Sequence, residues 1–319
     1  MKVLITGATG FIGRMLLHEL SRNQDYEVVA AVRTGQSPSF PEASSVVVGE
    51  INGETNWMSA LKGVDVVIHL AGRAHILNDN KKSALSSFRE VNVDGAVKLA
   101  HQASMLGVKR VVFISSIGVN GSSTNELPFD EESIESPNAI YAQSKLEAEQ
   151  QLTTLLKKTG TELVIIRPPL VYAGDAPGNF ARLLKLVSTS LPLPFKLVKN
   201  QRSMIALENL VSFIKLCATH PAAANQLFLV ADSEPVSTVE IVRYLAEGMQ
   251  GNAHFLPVPV GLMRLGASMV GKSSMFEQLC GSLVIDSSKA RNLLGWEPPI
   301  SAGDALVKAG KEYKANKRA

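Results

Sequence analysis

Cysteine is scarce: Cys217 and Cys280 are the only two in 319 residues. Two cysteines this far apart exclude a disulfide framework and a zinc-type ligand set, so no metal is expected and a reducing, cytoplasmic setting is the simplest match. Long apolar runs are missing as well. The most apolar late stretch, "FLPVPVGLMRLGASMVG", holds two prolines and Arg264 within 17 residues, which is too short and too broken for a transmembrane span. It reads as a loop leading into a buried or interface helix, with peripheral membrane contact left open. The apolar opening residues are rich in glycine and lack a cleavage-like site, so they read as structural and not as a leader. Charge of one sign is also lacking, the net charge being +3. The late basic residues Lys308, Lys311, Lys314, Lys317 and Arg318 are spread out as a solvated face, and no nucleic-acid partner is expected. Repeats and low-complexity tracts are absent.

What is present is a chain that is 45% apolar, enough to bury a large core in one domain or two unequal ones. Its first half alternates β-rich and helix-like runs: "KVLITG", "MLLHELSR", "EVVAAVR", "SSVVVGEI", a short helix around "WMSALKG", "VDVVIHLAG", a helix through "FREVNVDGAVKLAHQASMLG", and "RVVFISSIGV". These strand runs are continuously apolar, as parallel strands covered on both faces require. A helix over 140–158 and a strand "ELVIIRPPLVY" follow. The pattern predicts an α/β fold, a Rossmann-type doubly wound parallel sheet. Beyond it the regularity weakens into a smaller C-terminal substrate-binding lobe, with helices expected at 207–219 and 237–249, a strand at "QLFLVAD" and a last short helix in "DSSKARNLLGW". The division is residues 1–173 for the dinucleotide domain and 174–319 mainly for the lobe, with some later segments returning to the first.

In "VLITGATGFIGR" the glycines fall at Gly7, Gly10 and Gly13, between a strand and a helix. Gly7 suits the tight turn, Gly10 close approach of a pyrophosphate, and Gly13 close packing of helix on strand; the N–H groups and positive helix end, around Phe11 and Ile12, suit the phosphates. The next strand ends in Val32 and Arg33 where an acidic residue would hold a free 2′-hydroxyl. A guanidinium suits a 2′-phosphate, so NADP is favoured over NAD, with Arg14 as a second positive charge.

"YAQSK" sets Tyr141 and Lys145 four apart, on one helix face. A lysine ammonium and a nicotinamidium both favour phenolate, drawing a tyrosine of ordinary pKa about 10 toward the working range. Ser115 and Ser116 end a strand at the carboxyl edge where such sheets bind ligands. Ser116 is the one expected to face substrate, and Ser115 to satisfy backbone or packing needs at the strand end.

Taken in order, "TGATGFIG", "GEI", "HLAG", "VN", "SS", "YAQSK", "RPPLVY" and "SKARNLLGW" resemble the extended short-chain dehydrogenase/reductases, the NAD-dependent epimerase/dehydratase group that acts on nucleotide sugars. The resemblance covers almost the whole chain. It implies Glu50 and Ile51 at the adenine, and Leu70, Ala71 and Gly72 along the cofactor. Asn92 becomes a structural helix residue near the site, Ser116, Tyr141 and Lys145 the catalytic trio, and Pro168 and Leu170 the border of the nicotinamide. Asn179 and Arg202 match positions that contact a sugar-nucleotide diphosphate. A homodimer through the helices around 88–106 and 140–158 is also implied.

Relatives that form 4-keto-6-deoxy sugars carry an Asp-Glu pair where this chain has Ile117 and Gly118. Proton abstraction at C5 then lacks its acid and base, which argues against a 4,6-dehydratase. Two reactions remain. One is NADPH-dependent reduction of the C4 ketone of a UDP-4-keto-6-deoxy-N-acetylhexosamine, giving UDP-N-acetylquinovosamine or its fucosamine epimer for O-antigen and lipopolysaccharide. The other is 4-epimerisation of a UDP-sugar on retained NAD. Arg33 tilts the expectation to the reductase. A non-catalytic NAD(P)-binding sensor is the alternative of another class, and the presence of both Tyr141 and Lys145 argues against it.

Overall fold

The computed structural model describes residues 1–34, 43–73 and 81–317, with no side chains described at 81–84. Arg318 lies outside these residues. Strands β1 (Lys2–Thr6), β2 (Glu27–Val32), β3 (Ser44–Val47), β4 (Val66–His69), β5 (Arg110–Ile114) and β6 (Glu162–Arg167) precede the short β7 (Leu170–Tyr172), β8 (Met204–Ala206) and β9 (Leu227–Leu229). The main sheet is a seven-stranded Rossmann-type sheet in the order β3-β2-β1-β4-β5-β6-β9, every pair parallel. β7 and β8 form a separate parallel pair.

Both faces of the sheet are apolar, and successive residues of the inner strands divide between them; the edge strand β3, expected to be covered on both faces, is instead largely exposed. Val3, Ile5, Ala30, Ile68, Val112 and Ile166 face one core. There they meet α1 (Phe11–Ser21) and a helix from the second half of the chain, named α6 below. Leu4, Val29, Val67, Val111, Phe113 and Ile165 face the other. They meet α3 (Gly95–Met105), which follows α2 (Lys81–Arg89), and α4 (Ile140–Leu156). This two-sided burial explains the unbroken apolar runs: a polar residue at either parity would enter a core.

The later helices are α5 (Gly178–Val187), α6 (Leu207–Thr219), α7 (Thr238–Gly248), α8 (Val260–Met269), α9 (Ser273–Cys280), α10 (Ser288–Leu294) and α11 (Ala302–Asn316). A third core joins Tyr172, Phe180, Leu184, Ile241, Leu245 and Leu306, from β7, α5, α7 and α11. Buried Asp232 ties these parts together, accepting from Tyr172 Oη at 2.7 Å and from Asn209 Nδ2 at 2.7 Å.

Four local expectations need correction. No helix forms around "WMSALKG"; the segment makes turns closed by Leu61 N–H to Trp57 O and Val64 N–H to Leu61 O. Trp57 is fully buried there and its amide bonds Gln102 Oε1 at 2.7 Å. "ELVIIRPPLVY" is two strands, because Pro168 and Pro169 have no N–H for a ladder; β7 pairs β8 instead. The helix from 88 onward is interrupted by a π turn, Glu90–Asp94, that carries Asn92. α8 contains no buried residue, so the buried alternative for that helix does not hold.

Candidate active site

The carboxyl ends of β1, β4, β5 and β6 open on one edge of the sheet, where α/β folds of this kind bind ligands. After β1 the chain turns through Gly7 at φ +70°, a conformation side chains rarely adopt. A Cβ at Gly7 would also lie 2.8 Å from the Ala71 amide nitrogen, so its absence lets the loops after β1 and β4 touch. A Cβ at Gly13 would strike the Gly7 carbonyl oxygen and come within 2.8 Å of Ala8 Cα. Gly10 caps α1 without a side-chain hydrogen bond, so the first-turn N–H groups at Phe11 and Ile12 have no side-chain acceptor. Cradle and helix end together fit a dinucleotide pyrophosphate.

Arg33 follows β2 largely exposed, its Nη1 3.8 Å from Glu50 Oε1, so these two residues stand on opposite sides of one gap. Ile51 packs partly buried beneath Gly95. Arg14, expected as a second positive charge, is exposed, and its guanidinium meets Asp175 at 3.5 Å. Leu70 and Ala71 donate their N–H groups to Thr6 O and Thr6 Oγ1, each at 3.2 Å. The same hydroxyl lies 2.7 Å from Nδ1 of His69, a ring that burial holds neutral by pushing its pKa down to about 3.

Gly72 leads from this loop to the chemistry, since a Cβ on it would sit 3.2 Å from Asn92 Oδ1 and 3.4 Å from Lys145 Nζ. Asn92 is fully buried; it accepts from Arg73 N at 2.8 Å and donates to Arg73 O at 3.1 Å and Ser144 Oγ at 2.9 Å. It therefore clamps the loop after β4 onto α4. Lys145 donates to Ile114 O at 2.8 Å, with its Nζ 4.6 Å from the Phe113 ring centroid and 6.0 Å from that of Tyr141. Burial pushes the ammonium down to about 8 against the opposing charge of Glu149, one helical turn on. Tyr141 meets Phe88 edge-on at 6.3 Å. Burial pushes its phenol up to about 12. The fall expected with a lysine and a nicotinamidium together is not produced by the chain's own groups, where desolvation of the phenol prevails.

Ser116 is partly exposed at the end of β5, where its Oγ accepts from Gly118 N at 3.1 Å. A Cβ at Gly118 would lie 3.3 Å from both Ser116 Oγ and Ala142 Cβ, which brings the serine turn against the start of α4 beside Tyr141. Ser115 is buried and its Oγ has no hydrogen-bond partner, so of the backbone and packing roles expected of it the packing one is what the structure shows. Ile117 is buried and donates to Pro168 O at 2.9 Å, joining the ends of β5 and β6; Leu170 is exposed beyond. Farther out, Asn179 Nδ2 donates to Gln278 Oε1 at 2.5 Å and Arg202 Nη1 to Gly281 O at 3.0 Å. Arg202 is mostly buried with no carboxylate paired to it among the described residues, and burial lowers its pKa. No group of three His, Cys, Asp or Glu residues among the described ones is gathered to hold a metal.

Residues 3–231 match the NAD dependent epimerase/dehydratase family. The chain belongs to that family. This epimerase/dehydratase family member is accordingly an NAD(P)-dependent enzyme. It is 42% identical over 319 residues to a UDP-glucose 4-epimerase of Vibrio cholerae, covering 99% of this chain and 97% of the relative. It is 28% identical over 318 residues to the N-acetyl-alpha-D-glucosaminyl-diphospho-ditrans,octacis-undecaprenol 4-epimerase of Escherichia coli O157:H7, covering 95% and 92%. Its fold superposes with TM-score 0.78 and 20% identity on UDP-glucose 4-epimerase from Thermotoga maritima in complex with UDP-glucose, over 100% of both chains.

Some of this family member's site was not anticipated from sequence. Arg167 is buried and reaches Glu149 Oε2 at 2.6 Å, Asn120 Oδ1 at 3.0 Å and Glu135 Oε1 at 3.2 Å, bracing α4 directly behind Lys145. The spacing Tyr141, Lys145, Glu149 was a usable signal for one member of that set. Gln278 had none, because it reaches Asn179 from 99 residues away in sequence.

Proposed function

We propose that this enzyme moves a hydride at C4 of a nucleotide-activated sugar, as an NADPH-dependent 4-ketoreductase. The substrate of this reading is UDP-4-keto-6-deoxy-N-acetylglucosamine and the product UDP-N-acetylquinovosamine or UDP-N-acetylfucosamine, for O-antigen or lipopolysaccharide synthesis. The observation that carries it is Arg33, exposed just beyond β2 at the position where an acidic residue would receive a ribose 2′-hydroxyl, with the Glu50 carboxylate 3.8 Å from its Nη1. The N-acetylglucosaminyl substrate in the name of the Escherichia coli relative supports the choice of an N-acetylhexosamine.

A nicotinamide dinucleotide, its pyrophosphate held by the glycine cradle, would supply the hydride. The chain's own part is to give a proton and hold the sugar. With its phenol pushed up to about 12, Tyr141 stands protonated at neutral pH, the state that donates to an alkoxide forming at C4. Ser116, partly exposed beside the start of α4, stabilises the same oxygen. Lys145, fixed by Ile114 O next to Gly72, holds the nicotinamide ribose. Ile117 and Gly118 offer no acid or base, which leaves no route to loss of water. Arg202, a mostly buried cation without an acidic partner among the described residues, is suited to the substrate diphosphate, and Asn179 stands with it across α9. A homodimer through α3 and α4 belongs to the same reading.

A second reading, 4-epimerisation on retained NAD, is favoured by the Vibrio cholerae relative. Supplying purified enzyme with the keto sugar and NADPH, and separately with UDP-glucose and no cofactor, separates them. Stoichiometric NADPH oxidation supports the reductase; interconversion of UDP-glucose and UDP-galactose without added cofactor overturns it. Arg33→Asp is expected to weaken NADPH by about tenfold to a hundredfold, the loss of a charge-assisted contact, and to spare NADH.

A further inference from the structure

Apolar side chains left outside the cores gather on α8. Leu262, Leu265 and Met269 are 62%, 59% and 80% exposed and recur at helical spacing, so they form one outward stripe. Exposed Val270 continues it, and exposed Leu256 leads into it. The loop 190–199 lies alongside, since Lys196 N–H bonds Leu256 O and Leu193 exchanges backbone hydrogen bonds with His254 and Leu256; its Leu197 is exposed too. The inner side of α8 is satisfied: Val260 and Met263 pack on the third core, and Arg264 meets Glu277 at 3.6 Å and the Phe276 ring at 5.5 Å. Scattered apolar residues are ordinary on a surface, but a contiguous patch marks an interface.

The charge around the stripe identifies the partner. Residues 190–202 and 254–280 contain Lys196, Lys199, Arg202, Arg264 and Lys272 with Glu277 as their only acid. Exposed Lys196 and Lys199 stand near one end of α8 and exposed Lys272, whose N–H bonds Ala267 O, at the other. A second copy of this chain would set basic rim against basic rim, whereas an anionic bilayer takes up both rim and stripe. A helix of 10 residues is about 15 Å long, half a hydrocarbon core, and none of the described helices is long and apolar enough to cross a membrane. Such a helix lies in the interface with its apolar face down.

We propose that α8 and the adjoining loop 190–199 form a docking surface for anionic membranes. Docking there holds α9, and with it Asn179 and Arg202, next to the headgroup layer. Membrane docking is independent of the reaction at Tyr141, and its test needs no turnover.

Flotation with phosphatidylcholine vesicles, with and without phosphatidylglycerol, tests the proposal. Wild-type chain is expected to float with the anionic vesicles only, less so as salt rises. Leu262→Ser/Leu265→Ser/Met269→Ser should reduce the bound fraction about tenfold or more, and Lys196→Glu/Lys272→Glu should abolish the preference for anionic lipid. An unchanged melting temperature in both variants excludes misfolding. As a second readout, Met269→Trp should shift its emission to the blue on adding anionic vesicles, against a background of two buried tryptophans, Trp57 and Trp296. Wild type that ignores both vesicle types overturns the proposal. So does a triple variant that floats like wild type, or one that loses only self-association.

Discussion

Adding one methyl group at Gly13 tests whether the cradle depends on close packing of α1 against β1. The new Cβ would fall on the Gly7 carbonyl oxygen, 2.9 Å from Gly7 C and 2.8 Å from Ala8 Cα, all of them backbone atoms. Ordinary C···O contacts begin near about 3.3 Å, so α1 must retreat by about an ångström. Overpacking of this kind costs about 1–3 kcal/mol of stability. It also withdraws the first-turn N–H groups from the pyrophosphate, at about 1.5–3 kcal/mol for a charge-assisted hydrogen bond, which is about tenfold to a hundredfold in Kd. Gly10→Ala is the control. Its Cβ would meet only Gly7 O, at 3.1 Å, so this variant should keep its melting temperature while losing dinucleotide affinity. Thermal melting and titration calorimetry with NADPH measure both quantities. Gly13→Ala with unchanged Tm and unchanged Kd would refute the reasoning.

Two further predictions concern the helix behind the site. Lys145 is driven down to about 8 by burial, so the unfolded chain binds the extra proton between that pH and its ordinary 10.5. Stability contributed at this residue should therefore rise as pH increases from about 8 to 10, by an amount on the order of 2–3 kcal/mol, before the raised Tyr141 reverses the trend above its ordinary 10. Lys145→Met should remove that rise in pH-dependent denaturant unfolding. Glu149→Leu strands Arg167, which keeps only Asn120 and Glu135 as acceptors. A loss of about 3 kcal/mol and a Tm lower by several degrees are expected by calorimetry.

The sheet was legible because its strands are buried on both faces, so Val3, Leu4 and Ile5 all had to be apolar. The glycine cradle and Tyr141 with Lys145 were legible because each rests on spacing within one short segment. The break at Pro168 and Pro169 carried a sequence signal too, in the missing N–H groups. Distant partners carried none: Gln278 meets Asn179, and Gly281 meets Arg202, only through the packing of α9. The direction of the Tyr141 shift was likewise hidden, since it depends on how deeply the phenol is buried. The choice between a buried and an interface helix at α8 was left open by the sequence, because its apolar composition resembles that of a core helix.

Hydride transfer at C4 with Tyr141 as proton donor is tested most directly by isotope. Enzyme given NADPH deuterated at the nicotinamide C4 and UDP-4-keto-6-deoxy-N-acetylglucosamine should yield a product with deuterium at the sugar C4, read by mass spectrometry and NMR. Tyr141→Phe should slow that transfer by about a hundred- to ten-thousand-fold with NADPH affinity nearly unchanged. Full activity in Tyr141→Phe, or no deuterium at C4, would contradict the account.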